Sequence, residues 1–175
     1  MHQCIVLWGL PGAGRYLLVR DDPWSFYLQI TDRNREIRLN EPIGGMFGDY
    51  WMLWDEFALT EGMKYGFSKA QKKGTDIIII ANWLWLWDMT QYYQLEELCN
   101  AFGYTLNNFY FYQDIDRAVC NLKIAWQYLN GAYYNARIAQ LYDMAPYYQQ
   151  KLEGIFGEFS EEGTLLRGKA RDGEC

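Results

Sequence analysis

Histidine is almost missing from this chain, and the single one, His2, stands next to its first residue. A metal site built from imidazoles is excluded, and His2 reads as a disordered terminal residue rather than a ligand. Cysteine is sparse. Cys4, Cys99, Cys120 and Cys175 are scattered, with no C-x-x-C pair, so no metal site is expected from them. With no signal peptide in the sequence, they read as reduced thiols of a cytoplasmic protein. Long apolar runs are also lacking. The longest, Ile77 to Trp87, is interrupted by Asn82 and is too short to span a bilayer. Positive charge is in deficit, with 16 Lys and Arg against 22 Asp and Glu and a net charge of −6. That excludes broad binding to a nucleic-acid backbone, which needs a basic face, but leaves room for a local basic cleft.

What the chain has in plenty is apolar and aromatic. Apolar residues make up 50 %, which rules out a disordered chain. Aromatics reach 18 %, with 8 Trp and 15 Tyr, more than a core of this size needs. Some rings are therefore expected at the surface, where Trp and Tyr favour contacts with a protein partner or a second copy. A core rich in large rings is the plainer reading. At 175 residues the chain fits one domain, placed at 1–159. The polar, glycine-containing stretch 160–175 reads as a loose, flexible tail.

The most informative stretch lies near the start. Ile5-Val6-Leu7-Trp8 enters Gly9-Leu10-Pro11-Gly12-Ala13-Gly14-Arg15-Tyr16, and Leu17-Leu18-Val19 resumes an apolar pattern. Gly9 and Gly14 stand five apart, as the two glycines of a phosphate-binding loop do. Glycines let successive N–H groups turn inward without a Cβ clash, and the following helix aims its positive end at the same hollow. The next two positions depart from the motif. The lysine that bridges the outer phosphates is replaced by Arg15, and the hydroxyl residue that holds Mg²⁺ by Tyr16.

Read onward, the chain alternates strands and helices. Gln3 to Trp8 is a buried parallel strand, Arg15 to Arg20 a short helix, and Phe26 to Thr31 a second strand followed by Asp32-Arg33-Asn34-Arg35. Arg38 to Tyr50 reads as loop, and Trp51 to Lys73 as helix, closed by Gly74. Thr75 to Asn82, with four isoleucines in a row, is the clearest strand. If that strand continues, Trp83, Trp85 and Trp87 share a face and form a stacking platform or a partner surface; packing beneath helices is the plainer alternative. Asp88 caps a helix that stops at Gly103, Leu106 to Tyr112 is a further strand, and Asp114 to Leu129 a further helix. A last helix covers Ala136 to Phe156, with Pro146 kinking or dividing it. In the tyrosine doublets 92–93, 133–134 and 147–148, one ring of each pair is expected inside and one outside. This alternation implies an α/β fold with a parallel sheet.

Ile5 to Arg20 resembles the opening of the small P-loop kinases related to bacteriophage polynucleotide 5′-kinase. Asp32 and Arg35 resemble that family's Asp-x-x-Arg element, and Lys73 to Asn82 its third strand. Leu98 to Tyr104 with Asp114 to Asn121 resembles the next helix and lid. The resemblance implies a P-loop kinase-like three-layer αβα sandwich. It implies that Gly9, Pro11, Gly12, Ala13, Gly14, Arg15 and Tyr16 hold ATP or another nucleotide. It makes Asp32 the general base on a sugar or nucleic-acid hydroxyl, and Arg35 its phosphate-positioning partner. The same comparison puts Ala81 where the third strand carries a carboxylate, and Asn121 where the lid carries an arginine; Lys123 or Arg117 is the substitute. A planar guanidinium does not fill the place of a compact ammonium, and the Tyr16 phenol projects too far to stand in for a serine on Mg²⁺. Phosphoryl transfer depends on positioning and cationic charge, so these replacements weaken it together. The leading expectation is a degenerate kinase-like protein that binds a nucleotide, a phosphate, a nucleic-acid end or a protein partner with little or no transfer. The alternatives are an active ATP-dependent kinase of a nucleotide or polynucleotide 5′-hydroxyl, and a structural subunit of an assembly in which the loop is only a turn.

Overall fold

The computed structural model describes residues 2–15, 50–53, 60–74, 76–125, 132–161, 163–168 and 170–175. Strands β1 (His2–Trp8), β2 (Tyr50–Leu53), β3 (Asp76–Ile80), β4 (Tyr104–Tyr112) and β5 (Leu165–Arg167) form one sheet in the order β2-β3-β1-β4-β5. Every pairing is parallel. Four α-helices accompany it among the described residues: α1 (Thr60–Lys73), α2 (Thr90–Phe102), α3 (Ile115–Ala125) and α4 (Ala132–Phe156). This is an α/β fold on a parallel sheet, as the alternation implied.

The central strands explain themselves. In β1, Cys4 to Trp8 are all buried, and so is every residue of β3. Continuous apolar runs of this kind suit strands covered on both faces. Register sets the faces. Cys4 lies beside Ile77 and Leu106, Val6 beside Ile79, and Trp8 beside Tyr110. These residues join Phe67, Leu95, Cys99, Leu141, Tyr148 and Leu152 in the main core. Ile5, Leu7, Ile78, Ile80, Phe109 and Phe111 form the opposite face and are buried as well.

Several expectations are corrected. Residues 50–53, divided above between loop and helix, form strand β2, and the helix begins only at Thr60. The isoleucine strand ends at Ile80. Trp83–Leu86 form a 3-10 helix, because the Asn82 side chain accepts from Leu84 N (2.9 Å) and turns the chain. Trp83 and Trp85 are buried, and the half-buried Trp87 lies against the Tyr148 ring and under Lys151, so the tryptophans offer no open platform. Asp88 is not the N-cap of α2; that position is Met89, and the Asp88 carboxylate instead accepts from Thr90 N and Oγ1. Pro146 lies inside α4 without dividing it. The stretch read as a loose tail carries β5, and its last residue, Cys175, is bonded to Cys120, so two of the four cysteines are not free thiols.

Other expectations hold. The chain ends α2 with Gly103 in the left-handed region (φ 75°). Tyr92 and Tyr148 are buried while Tyr93 and Tyr147 are exposed. The expected helix 15–20, strand 26–31 and Tyr133–Tyr134 side chains lie outside the described residues. No described helix is long and apolar enough to cross a membrane.

Candidate functional site

Strand order fixes where a ligand would sit. The chain leaves β1 for β2 on one side of the sheet and leaves β4 for β5 on the other. Adjacent strands whose connections part in this way open a crevice at their carboxyl ends, the usual ligand position in parallel sheets. The loop Gly9–Gly14 leaves β1 at that point. Gly12 (φ 80°) and Gly14 (φ 89°) are both left-handed, a conformation that only glycine takes at low cost. Left-handed glycines in such a loop can turn neighbouring N–H groups to one side.

The loop is tightly braced. Ala13 N donates to Leu10 O (2.9 Å), and Gly9 N to the hydroxyl of Tyr148 (2.8 Å). Tyr148 reaches the loop from α4, with its ring packed against Trp83, Trp87 and Tyr110. From α3, Asn121 Nδ2 donates to Gly12 O (2.7 Å). A Cβ on Gly12 would fall on the Ala118 carbonyl, so the helix backbone lies directly against the loop. Beyond β5, Gly168 packs as closely on the Ala13 carbonyl, and its own carbonyl accepts from Gln113 Nε2 (3.1 Å).

Arg15 is the distinctive feature. It is only 4 % exposed, and its Nη1 donates to Leu7 O (2.9 Å) and Ala81 O (2.8 Å). The side chain folds back beneath the loop: a Cβ on Gly9 would lie 3.1 Å from Arg15 Cδ. The guanidinium therefore bridges the ends of β1 and β3. Both bonds leave one nitrogen, whose two N–H groups lie in the guanidinium plane, so one end of the side chain joins the two carbonyls.

The predicted site residues divide in two. Gly9, Pro11, Gly12, Ala13, Gly14 and Arg15 are brought together at the sheet edge. Tyr16, Asp32 and Arg35 lie outside the described residues. The suggested lid position, Asn121, is a buried brace of the loop. Arg117 donates to Cys120 Sγ (3.6 Å). Among the described residues no group of three or more His, Cys, Asp or Glu is placed to hold a metal ion. Sequence reasoning missed Tyr148 and Gly168, which come to the loop from 139 and 155 residues away, and Gln113, which braces Gly168 from 55 residues away; nothing local marks them. Searches against known family models and curated proteins give no match to this chain.

Proposed function

We propose that this protein is a P-loop kinase-like, three-layer αβα protein that binds a phosphate or nucleotide at the Gly9–Gly14 loop without efficient phosphoryl transfer. The observation that carries the reading is the Arg15 guanidinium, buried under the loop and bonded to Leu7 O and Ala81 O. It supplies fixed positive charge beneath the glycine loop, which favours an anion there. The same bonds anchor it at the base of the loop. To reach the outer phosphates it would have to give up both bonds and leave the buried Ala81 carbonyl unpaired, at a cost of about 1–3 kcal/mol, while Leu7 O keeps its bond from Ala81 N. Cationic charge on the transferred group is worth about 10²-fold or more per contact. With no loop lysine and a tyrosine in place of serine or threonine at position 16, turnover falls well below the roughly 1–100 s⁻¹ of working kinases. Asp32 and Arg35 stay in this reading as the residues facing the end of a nucleic acid or sugar. The setting is cytoplasmic.

Thermal shift tests it. Inorganic phosphate, ADP and ATP are expected to raise the melting temperature by several degrees at about 100 times Kd, to the same extent with and without Mg²⁺. A shift that needs Mg²⁺, together with turnover that Asp32→Ala abolishes, would establish the active kinase instead. A partner-binding role has its own support. Tyr147 and Ile155 are 60 % and 43 % exposed and lie eight residues apart on one face of α4. Light scattering of the purified chain reports whether that face pairs two copies.

A further inference from the structure

The last residues cross the outside of the glycine loop. Gly168 N donates to Tyr112 O (2.9 Å) while its Cα rests on the Ala13 carbonyl. Arg171 N donates to Asn121 Oδ1 (2.8 Å), and the other end of the same amide holds Gly12 O. Gly173 lies beside Ile124 of α3. The segment ends at Cys175, bonded to Cys120 of the same helix with 5.2 Å between the Cα atoms. The tail, α3 and the loop thus form one connected unit, and among the described residues the disulfide is its only covalent cross-link. Two of these contacts fall on loop carbonyls, those of Gly12 and Ala13, so the tail and α3 hold the loop from its carbonyl side.

We propose that the Cys120–Cys175 bond is an exchangeable redox switch whose opening by a thiol loosens the tail and, through Asn121, the glycine loop. The two sulfurs are not equivalent. Cys175 is exposed and Cys120 is only 4 % exposed, so a thiolate attacks the Cys175 sulfur. That attack forms a mixed disulfide and expels Cys120 as the thiolate. The Arg117 guanidinium, 3.6 Å from Cys120 Sγ, stabilises this leaving group. With a dithiol reductant, the second reagent thiolate attacks the reagent sulfur of the mixed disulfide and releases Cys175. The reagent loses two electrons and closes its own disulfide. Its two protons end on the cysteines. The other two cysteines stay out of the exchange. Cys4 and Cys99 are buried, and burial, with Cys99 close by, pushes the Cys4 thiol up. A disulfide in a cytoplasmic setting is more often a sensor than a staple.

The switch rests on the geometry; its consequence for phosphate rests on the function proposed above, and the test separates the two. Amide hydrogen exchange is measured on the oxidised protein, on the same protein reduced with dithiothreitol, and on Cys175→Ser. Reduction and substitution are both expected to speed exchange at Gly12–Gly14 and Ala118–Asn121 by about 10-fold or more, with β1 and β3 unchanged. Unchanged loop exchange, or equal loss of protection across the sheet, would overturn the switch; the second result would make the bond a global staple. Arg117→Gln is expected to slow opening by dithiothreitol about 3- to 10-fold, and an unchanged rate would remove Arg117 from the mechanism. Inorganic phosphate is titrated into both redox states. Tighter binding by the oxidised form supports the coupling, whereas equal binding in both states overturns it. If neither state binds while loop exchange still responds, the phosphate reading fails and the switch stands.

Discussion

Arg15 and Tyr148 hold the loop by opposite means, one donating to carbonyls below it and the other accepting from its first N–H. Arg15→Met would keep the aliphatic bulk and strand the Ala81 carbonyl, while Leu7 O keeps its bond from Ala81 N. The expected loss is about 1–3 kcal/mol, read as a lower denaturant midpoint with an unchanged slope. Tyr148→Phe keeps the ring contacts and removes only the acceptor, so about 1–2 kcal/mol is expected in the same measurement. Gly12→Ala should be worse than either, above about 3 kcal/mol. It combines a left-handed backbone with a collision against the Ala118 carbonyl, where the obstacle is helix backbone and cannot swing aside. The Gly9–Gly14 spacing made the loop legible in the sequence. The inward turn of Arg15 was not, because the Ala81 carbonyl it bonds, just past β3, lies 66 residues away.

Among the elements, those with strong local rules were the readable ones. The isoleucine run of β3 and the α2 stop at Gly103 were fixed by burial pattern and backbone chirality. Gly103→Ala tests the second. A Cβ there meets nothing within 4 Å, so the cost should be backbone strain alone, about 1–2 kcal/mol by thermal melting and clearly less than for Gly12→Ala. Two short strands were missed. β2 has four residues and β5 three, too few to show a period. β5 also lies in a polar stretch and is held by pairing of Phe111 with Leu166 and by the covalent tie at Cys175. The tryptophan run misled for a related reason. Alternation alone cannot tell a strand from a 3-10 turn, and Asn82 decided it by hydrogen-bonding to the backbone two residues on.

At the scale of the molecule, the aromatic rings among the described residues are mostly core, and their hydroxyls give the fold a pH limit. Burial pushes Tyr104 up to about 12, and it also raises Tyr92 and Tyr110. A tyrosine raised in the folded state keeps its proton after the unfolded chain has lost it. Stability from these groups is therefore complete below about pH 10 and falls as the pH climbs from 10 through 12. Melting temperatures should be flat on this account up to about pH 10 and drop above it, with the buried phenolates forming only as the protein unfolds, after those of exposed rings such as Tyr93 and Tyr147. Complete phenolate absorbance from every tyrosine while the fold is intact would contradict the burial assignment.

The most direct measurement is calorimetric titration of ATP into the oxidised protein, with phosphate release and transfer followed on the same sample. The account predicts saturable, Mg²⁺-independent binding with turnover at least about 10⁴-fold below that of a working kinase. Absence of binding by ATP, ADP and phosphate, or turnover at ordinary kinase rates, would contradict it.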